Sequence, residues 1–220
     1  MSDLAERPVL YSYWRSSASW RVRIAMNLKK IQFEYKAVNL LKGEQKSEEH
    51  TKLNPSSAIP VLVIDGNVLC QSISILEYLE ETRSEGNHLL PKDPYQRSVV
   101  RNIVQMIASD TSPIQNLRVL NKVSNDFGEQ HKLKWAKDVI EAGLKPVEQV
   151  LRTSSSSGQY CVGDQVSLAD LCLVPQVYNA KRFNVDMEQF PKIKEINDNL
   201  MKIKEFIEAH PDNQPDAVSQ

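Results

Sequence analysis

Residues 61–70 read VLVI-DG-NVLC, two short apolar segments rich in β-branched residues joined by Asp65-Gly66. That pattern is among the strongest short-range hairpin signals, because the two-residue turn needs side chains that tolerate positive φ. The flanks narrow the choice further. Pro60 stands directly ahead of the first strand, where a proline cannot serve a central ladder position; a cis bond after Ile59 in a tight approach is one explanation. Behind the hairpin, Gln71-Ser72 lead into SISILEYLEE, a helix capped by Ser72 with Ile73, Leu76 and Leu79 turned inward.

Upstream, VLYSYW (9–14) is a strand by composition and FEYKAVNL (33–40) alternates like a second one. Between them Trp20, Ile24 and Leu28 fall four apart on one helical face, with Ser16 or Ser17 as the natural N-cap. Strand–helix–strand with short connections predicts a parallel pair. The first eighty residues therefore read βαβ–ββα, a four-stranded mixed sheet with helices.

The remainder reads differently. Residues 83–94 carry Gly and Pro without periodicity and look like a linker. Residues 95–123 form one long helical pattern interrupted near Pro113, and 131–151 form another, containing Trp135, Val139, Leu144, Val147 and Leu151. SSSSG at 154–158 is a loop. Ser167-Leu168-Ala169-Asp170 opens a helix with a Ser-x-x-Asp variant of the capping box. A last helix is expected over 190–209, with 212–220 a polar tail that frays. The expected division is 1–88 for the sheet domain and 89–220 for an all-helical domain.

Composition removes whole classes of function. Lys and Arg number 27 against 28 Asp and Glu, a net charge of −1, so no basic surface suited to nucleic acid is expected. No apolar run reaches a membrane span, and the first residues do not resemble a secretory leader, which implies a cytoplasmic protein. Cys70, Cys161 and Cys172 show no CxxC spacing and read as reduced, buried thiols. The four histidines lie far apart, so no metal is expected. The seven glycines are too sparse for GxGxxG; Gly158 and Gly163 have P-loop spacing, but Asp164 stands where the lysine belongs. Without a G-x-S-x-G elbow either, any reactive group is expected to come from a bound small molecule.

The whole chain resembles the glutathione transferase superfamily, whose first domain is thioredoxin-like. The blocks that carry the resemblance are LYSYWRSSASWRVRIA (10–25), NP (54–55), IPVLVIDG (59–66), QS (71–72), EYLEETR (77–83), LLPKDP (89–94), PIQNL (113–117), YCVGDQVSLADLCLVPQVYNAKRF (160–183) and HPDNQPD (210–216). The first and the 160–183 blocks point to the zeta class, which includes maleylacetoacetate isomerases. The resemblance implies glutathione as cofactor, a small electrophilic substrate and a homodimer. The implied activity is isomerisation of maleylacetoacetate to fumarylacetoacetate, a step of tyrosine and phenylalanine catabolism, with transferase activity on α-haloacids and other electrophiles.

From the residues alone, Ser16 and Ser17 either cap the helix or also present a hydroxyl to an anion. A thiolate held there would meet unpaired N–H groups and the positive end of the helix dipole. One hydrogen bond to a charged group contributes roughly 1.5–3 kcal/mol. That lowers a thiol pKa from near 8.5 by roughly one to two units. The resemblance gives the catalytic role to Ser16, with Ser17 capping the helix or orienting Ser16. It also implies a glutathione site of Ser16, Ser17, Gln45, the Ile59 backbone, Gln71, Ser72, Gln115 and Asn116, although Gln71 and Ser72 equally suit simple capping. Arg15 and Arg182 match family arginines that line the acceptor pocket; a surface ion pair is the plainer role for either. Arg21 and Arg23 read as packing or dimer contacts, and Trp14, Trp20 and Trp135 as core or domain-interface aromatics.

Two departures from the family pattern bear on activity. Ala18 replaces the cysteine of Ser-Ser-Cys, and 109–112 reads Ser-Asp-Thr-Ser where Ser-Gly-Ile-Gln is usual. They leave room for a detoxifying transferase with weak isomerase activity, or for a non-catalytic binding module.

Overall fold

The structure, a computed structural model, describes residues 7–218. In chain order its elements are β1 (Val9–Ser12), α1 (Ser17–Leu28), β2 (Glu34–Ala37), α2 (Glu48–Leu53), β3 (Val61–Ile64), β4 (Asn67–Cys70), α3 (Ser72–Thr82), α4 (Pro94–Gln105), α5 (Leu117–Phe127), α6 (Glu129–Thr153), α7 (Leu168–Arg182), α8 (Pro191–Leu200) and α9 (Lys204–Glu208). They fall into two compact units, one of residues 7–87 with 203–218, the other of 88–202.

The first unit is built on a four-stranded sheet in the order β2-β1-β3-β4. β1 and β2 are parallel, with Val9 opposite Glu34 and Ser12 opposite Ala37. β3 runs antiparallel to β1 and β4, with Val61 opposite both Tyr11 and Cys70. This is the mixed βαβ–ββα sheet read from the alternation and the Asp-Gly turn. Asp65 and Gly66 both have positive φ, as that turn requires. Leu10 and Leu62 are opposite each other and fully buried, and Ile24, Ile75, Leu76 and Leu79 from α1 and α3 are fully buried as well.

Local differences from the sequence reading have physical causes. The strands stop at Ser12 and Ala37, short of Trp14 and Leu40, because the chain then turns to enter α1 and a loop. A short 3-10 turn (Glu44–Lys46) and α2 fill a stretch for which the sequence reading gave no element; Ser47 caps α2 by accepting from the His50 N–H. In α3 the cap position belongs to Gln71 and Ser72 is the first helical residue. Ile75 takes an inward place beside Leu76 and Leu79, and Ile73 is only half-buried.

The expected last helix is two helices, α8 and α9, separated at 201–203. The expected fraying tail is instead tied down as far as Asp216. The Asp216 carboxylate accepts from the Trp14 N–H at 3.0 Å and the Tyr35 hydroxyl at 2.6 Å. Residues 203–218 thus complete the first unit, whereas the division expected from sequence put them with the helices.

The helical unit is all α, with a π-helical turn (Met106–Thr111) continuing from α4. Near Pro113 the long pattern breaks as expected, and α5 starts afresh at Leu117. The π turn packs so tightly on α6 that a Cβ on Gly143 would lie 2.1 Å from Thr111 Oγ1. Gly143→Ala is therefore expected to destabilise the protein by about 1–3 kcal/mol. Thermal unfolding checks this, and Thr111→Gly in the same chain should recover part of the loss. The Ser167–Asp170 capping box forms as read. Trp135 differs from expectation: it is 41% exposed, its indole N–H donating to the Ile114 carbonyl.

Candidate functional site

Strand directions decide which loops share an edge of the sheet. β1 and β2 end where β3 begins and β4 ends, because Tyr11 pairs with Val61, Val61 with Cys70, and Ser12 with Ala37. Four connections emerge at that edge: the turn into α1 with Arg15, Ser16 and Ser17, the loop after β2, the Ile59-Pro60 approach to β3, and the Gln71-Ser72 entry to α3. Topology alone places six of the predicted residues there, and Gln45 lies on the loop after β2.

Ser16 is the N-cap of α1, with extended backbone at φ −69° and ψ 114°. Its Oγ accepts from the Ser19 N–H at 3.2 Å, and its carbonyl accepts from the Trp20 N–H. The accepting side of the hydroxyl is thus used, while its proton remains to be donated. Ser17 takes no part in the capping, so of the two roles expected for it only orientation of Ser16 is left. The Ser17 and Ala18 N–H groups lie in the first turn, where an α-helix offers no internal acceptor. A hydroxyl proton, open amides and the positive end of a twelve-residue helix together favour an anion.

Gln71 adopts φ 68°, ψ 120°, an unusual backbone for a residue other than glycine, and its side chain makes no capping hydrogen bond. Such strain, of order 1–3 kcal/mol, is held in place by surrounding structure and concentrates at ligand clamps. Ser72 is buried and its Oγ accepts from Arg21 Nη1 at 3.2 Å. This fixes α3 to α1 and gives Arg21 a packing role. Gln45 is half-buried, and its Oε1 is sealed from solvent without a hydrogen-bond partner. A buried acceptor normally finds a donor, so this atom fits a ligand carrying one.

The Ile59–Pro60 peptide bond is cis, as the sequence reading allowed. Its approach is pinned by two residues to which that reading gave no role. Asn54 Nδ2 donates to the Ala58 carbonyl at 2.8 Å, and His50 Nε2 reaches the same oxygen at 2.9 Å. A carbonyl only accepts, so His50 carries its proton on Nε2, and its buried Nδ1 is left without a partner. The signal was faint: a lone histidine and asparagine eight and four residues ahead of one carbonyl.

The remaining predicted residues belong to the helical unit. Gln115 is buried, and its amide is engaged with Gln176, donating to it at 2.7 Å and accepting from it at 3.3 Å. Asn116 caps α5, its Oδ1 accepting from the Arg118 and Val119 N–H groups. Arg182 stacks on Phe183 at 4.9 Å, just as Arg15 in the first unit stacks on Trp14 at 5.0 Å. Asp110 is exposed on the π turn. Cys161 and Cys172 are buried thiols as expected; Cys70 is only half-buried, and burial pushes its pKa up. Among the described residues no cluster of His, Cys, Asp or Glu could hold a metal ion, and no helix is long and apolar enough to cross a membrane.

Comparison with known proteins agrees with this frame. Residues 8–81 match the family described as "Glutathione S-transferase, N-terminal domain", and 118–211 match "Glutathione S-transferase, C-terminal domain". The maleylacetoacetate isomerase of Dictyostelium discoideum is 55% identical over 217 residues, covering 97% of this chain and 98% of that protein. A protein of Euphorbia esula named "Glutathione S-transferase zeta class" is 42% identical over 211 residues, 96% of this chain and 92% of its own length. The chain belongs to the zeta-class glutathione transferases. Among solved members of the family, the maleylacetoacetate isomerase of Methylobacterium extorquens AM1, crystallised with malonate and glutathione, superimposes with a TM-score of 0.92 at 37% identity, covering 96% of this chain and all of that one. This zeta-class transferase has the thioredoxin-like sheet domain and helical domain of its relatives, and like them it is an enzyme.

Proposed function

We propose that this enzyme catalyses the glutathione-dependent cis–trans isomerisation of maleylacetoacetate to fumarylacetoacetate. The observation that carries the reading is Ser16 at the head of α1, its proton uncommitted, in a chain 55% identical to an isomerase of that name. When bound, glutathione supplies a thiol nucleophile. The chain's own residues would do the rest.

Ser16 donates a hydrogen bond to the sulfur, keeping its own proton, and with the open amides of Ser17 and Ala18 favours the ionised form. Gln71 and Ser72 hold the glutamyl carboxylate at the first turn of α3, the Ile59 backbone pairs with the peptide, and Gln45 accepts from it. By the family resemblance Gln115 and Asn116 also serve glutathione, and either Arg15 or Arg182 holds a substrate carboxylate. Ser17 assists by orienting Ser16. The reading carries with it activity on α-haloacids and other small electrophiles, a homodimer, cytoplasmic placement and a role in tyrosine and phenylalanine breakdown.

The deciding experiment supplies maleylacetoacetate with and without glutathione and follows fumarylacetoacetate. Turnover that requires glutathione is expected; absence of turnover beside an active haloacid reaction would leave a detoxifying transferase in its place. Ala18 lacks a thiol but leaves the Ser16 hydroxyl where it is. Ala18→Cys is accordingly expected to change the isomerase kcat only a few-fold, while making the enzyme sensitive to thiol alkylation. A gain of about a thousandfold or more, roughly 4 kcal/mol, would instead make the missing cysteine the main determinant of rate, since that exceeds what one hydrogen bond to a charged group supplies.

A further inference from the structure

We propose that Asp216 is a positioning residue for Ser16, acting through the backbone of the turn that precedes it. The proposal rests on the reading of Ser16 given above and adds a group two hundred residues away in sequence.

The turn from Tyr13 to Ser16 connects β1 to α1, and its backbone is held from both sides. The Tyr13 carbonyl accepts from the Ser16 N–H at 2.9 Å. The Trp14 N–H donates to Asp216 Oδ2 at 3.0 Å. The Trp14 carbonyl accepts from Arg23 Nη2 at 2.9 Å, and Arg23 Nη1 reaches the Tyr13 carbonyl at 3.4 Å and Ser12 Oγ at 3.1 Å. Arg23 is itself 1% exposed and also donates twice to the Ala209 carbonyl, at 3.2 and 3.1 Å. Asp216 Oδ1 takes the Tyr35 hydroxyl from β2 at 2.6 Å.

The segment 209–216 therefore straps the sheet edge and clamps the two peptides just before the catalytic hydroxyl. The charged and titratable groups facing Arg23 and Asp216 are Tyr35 from β2 and, from the strap itself, His210, whose ring in turn meets Asp212. Burial pulls Arg23 down to about 10, still charged at neutral pH, and Asp216 and Tyr35 oppose that pull. Burial and the bond to Asp216 raise Tyr35, so it stays a donor. A fixed turn matters because hydrogen-bond strength falls steeply with angle, and a hydroxyl displaced by a fraction of an ångström stabilises a thiolate less.

The test compares the full chain with Asp216→Ala, Asp216→Asn and Tyr35→Phe. Ultraviolet titration of saturating bound glutathione reads its thiol, and amide hydrogen exchange reads residues 14–18 without ligand. Asp216→Ala is expected to raise the apparent thiol pKa by roughly one unit, as a weakened hydrogen bond to the sulfur would. It should also lower kcat with little change in the glutathione KM, and speed exchange at 14–18.

Asparagine can still accept from the Trp14 N–H while donating to the Tyr35 hydroxyl, so Asp216→Asn should recover most of the shift. Should Asp216→Ala fail to fold, Tyr35→Phe, which removes one donor, is expected to move the thiol in the same direction by less. Folded variants whose thiol titrates as in the wild type overturn the proposal, even with lowered thermal stability. The titration uses no electrophile, so failure of maleylacetoacetate turnover in the wild type would be a separate result.

Discussion

Asp170→Ala is expected to destabilise the helical unit by about 3–5 kcal/mol at neutral pH, enough to abolish soluble expression or lower the unfolding midpoint sharply. The carboxylate is fully buried and answers three donors: the Cys161 N–H at 2.9 Å, the Ser167 N–H at 2.8 Å and the Ser167 hydroxyl at 2.9 Å. Alanine leaves all three without a partner in a dry interior, and each buried orphan costs roughly 1–3 kcal/mol. The head of α7, which supplies much of that unit's buried surface, loses its cap as well.

Burial raises the Asp170 pKa, and the bonds from Cys161 and Ser167 work against that rise. A folded acid with a raised pKa contributes most below its unfolded value and less as the pH climbs through the folded one. The stability gap between wild type and Asp170→Ala should accordingly narrow from acid to neutral pH. Urea unfolding at several pH values measures it; a gap that widens toward neutrality would contradict the assignment.

The second large effect concerns rate. Ser16→Ala is expected to lower kcat/KM for maleylacetoacetate by about 10- to 100-fold, the equivalent of roughly 1.5–3 kcal/mol for one hydrogen bond to a charged sulfur. The pH profile should shift upward by roughly one to two units, because the bound thiol then ionises later. Ser16 also caps α1, so alanine costs about 1 kcal/mol of stability in addition. Ser17→Ala separates the roles. Its hydroxyl caps nothing, so a small change in stability and a smaller change in rate are expected. Equal rate losses from both variants would move the key hydroxyl from Ser16 to the pair.

Much of the frame was legible because it rests on local pattern. The Asp65-Gly66 turn, the alternation around it, a serine cap at position 16 or 17 and the Ser167 cap each declare themselves within a few residues. The misreadings follow from the limits of such signals. α2 has six residues, of which only His50 is buried, so no periodicity reveals it. Ser72 looks the better cap by propensity, yet the chain places Gln71 at the cap and spends the serine on Arg21. The tail read as frayed because its polar residues have partners 181 and 202 positions away, beyond any window. For the site, the residue types at the sheet edge were legible, but the partners that hold them were not. Gln115 turns out to be paired with Gln176, and the Ala58 carbonyl is fixed by His50 and Asn54.

The strap at 209–216 also sets a constraint on biosynthesis. The helical unit is continuous in sequence and has all its residues once position 202 has been translated. The sheet unit, though it leads the chain, still lacks Ala209 for the Arg23 guanidinium and Asp216 for the Trp14 amide at that moment. On the ribosome, where domains ordinarily mature in the order they emerge, this protein must finish its first half last. Until then it carries a buried cation without its full set of acceptors.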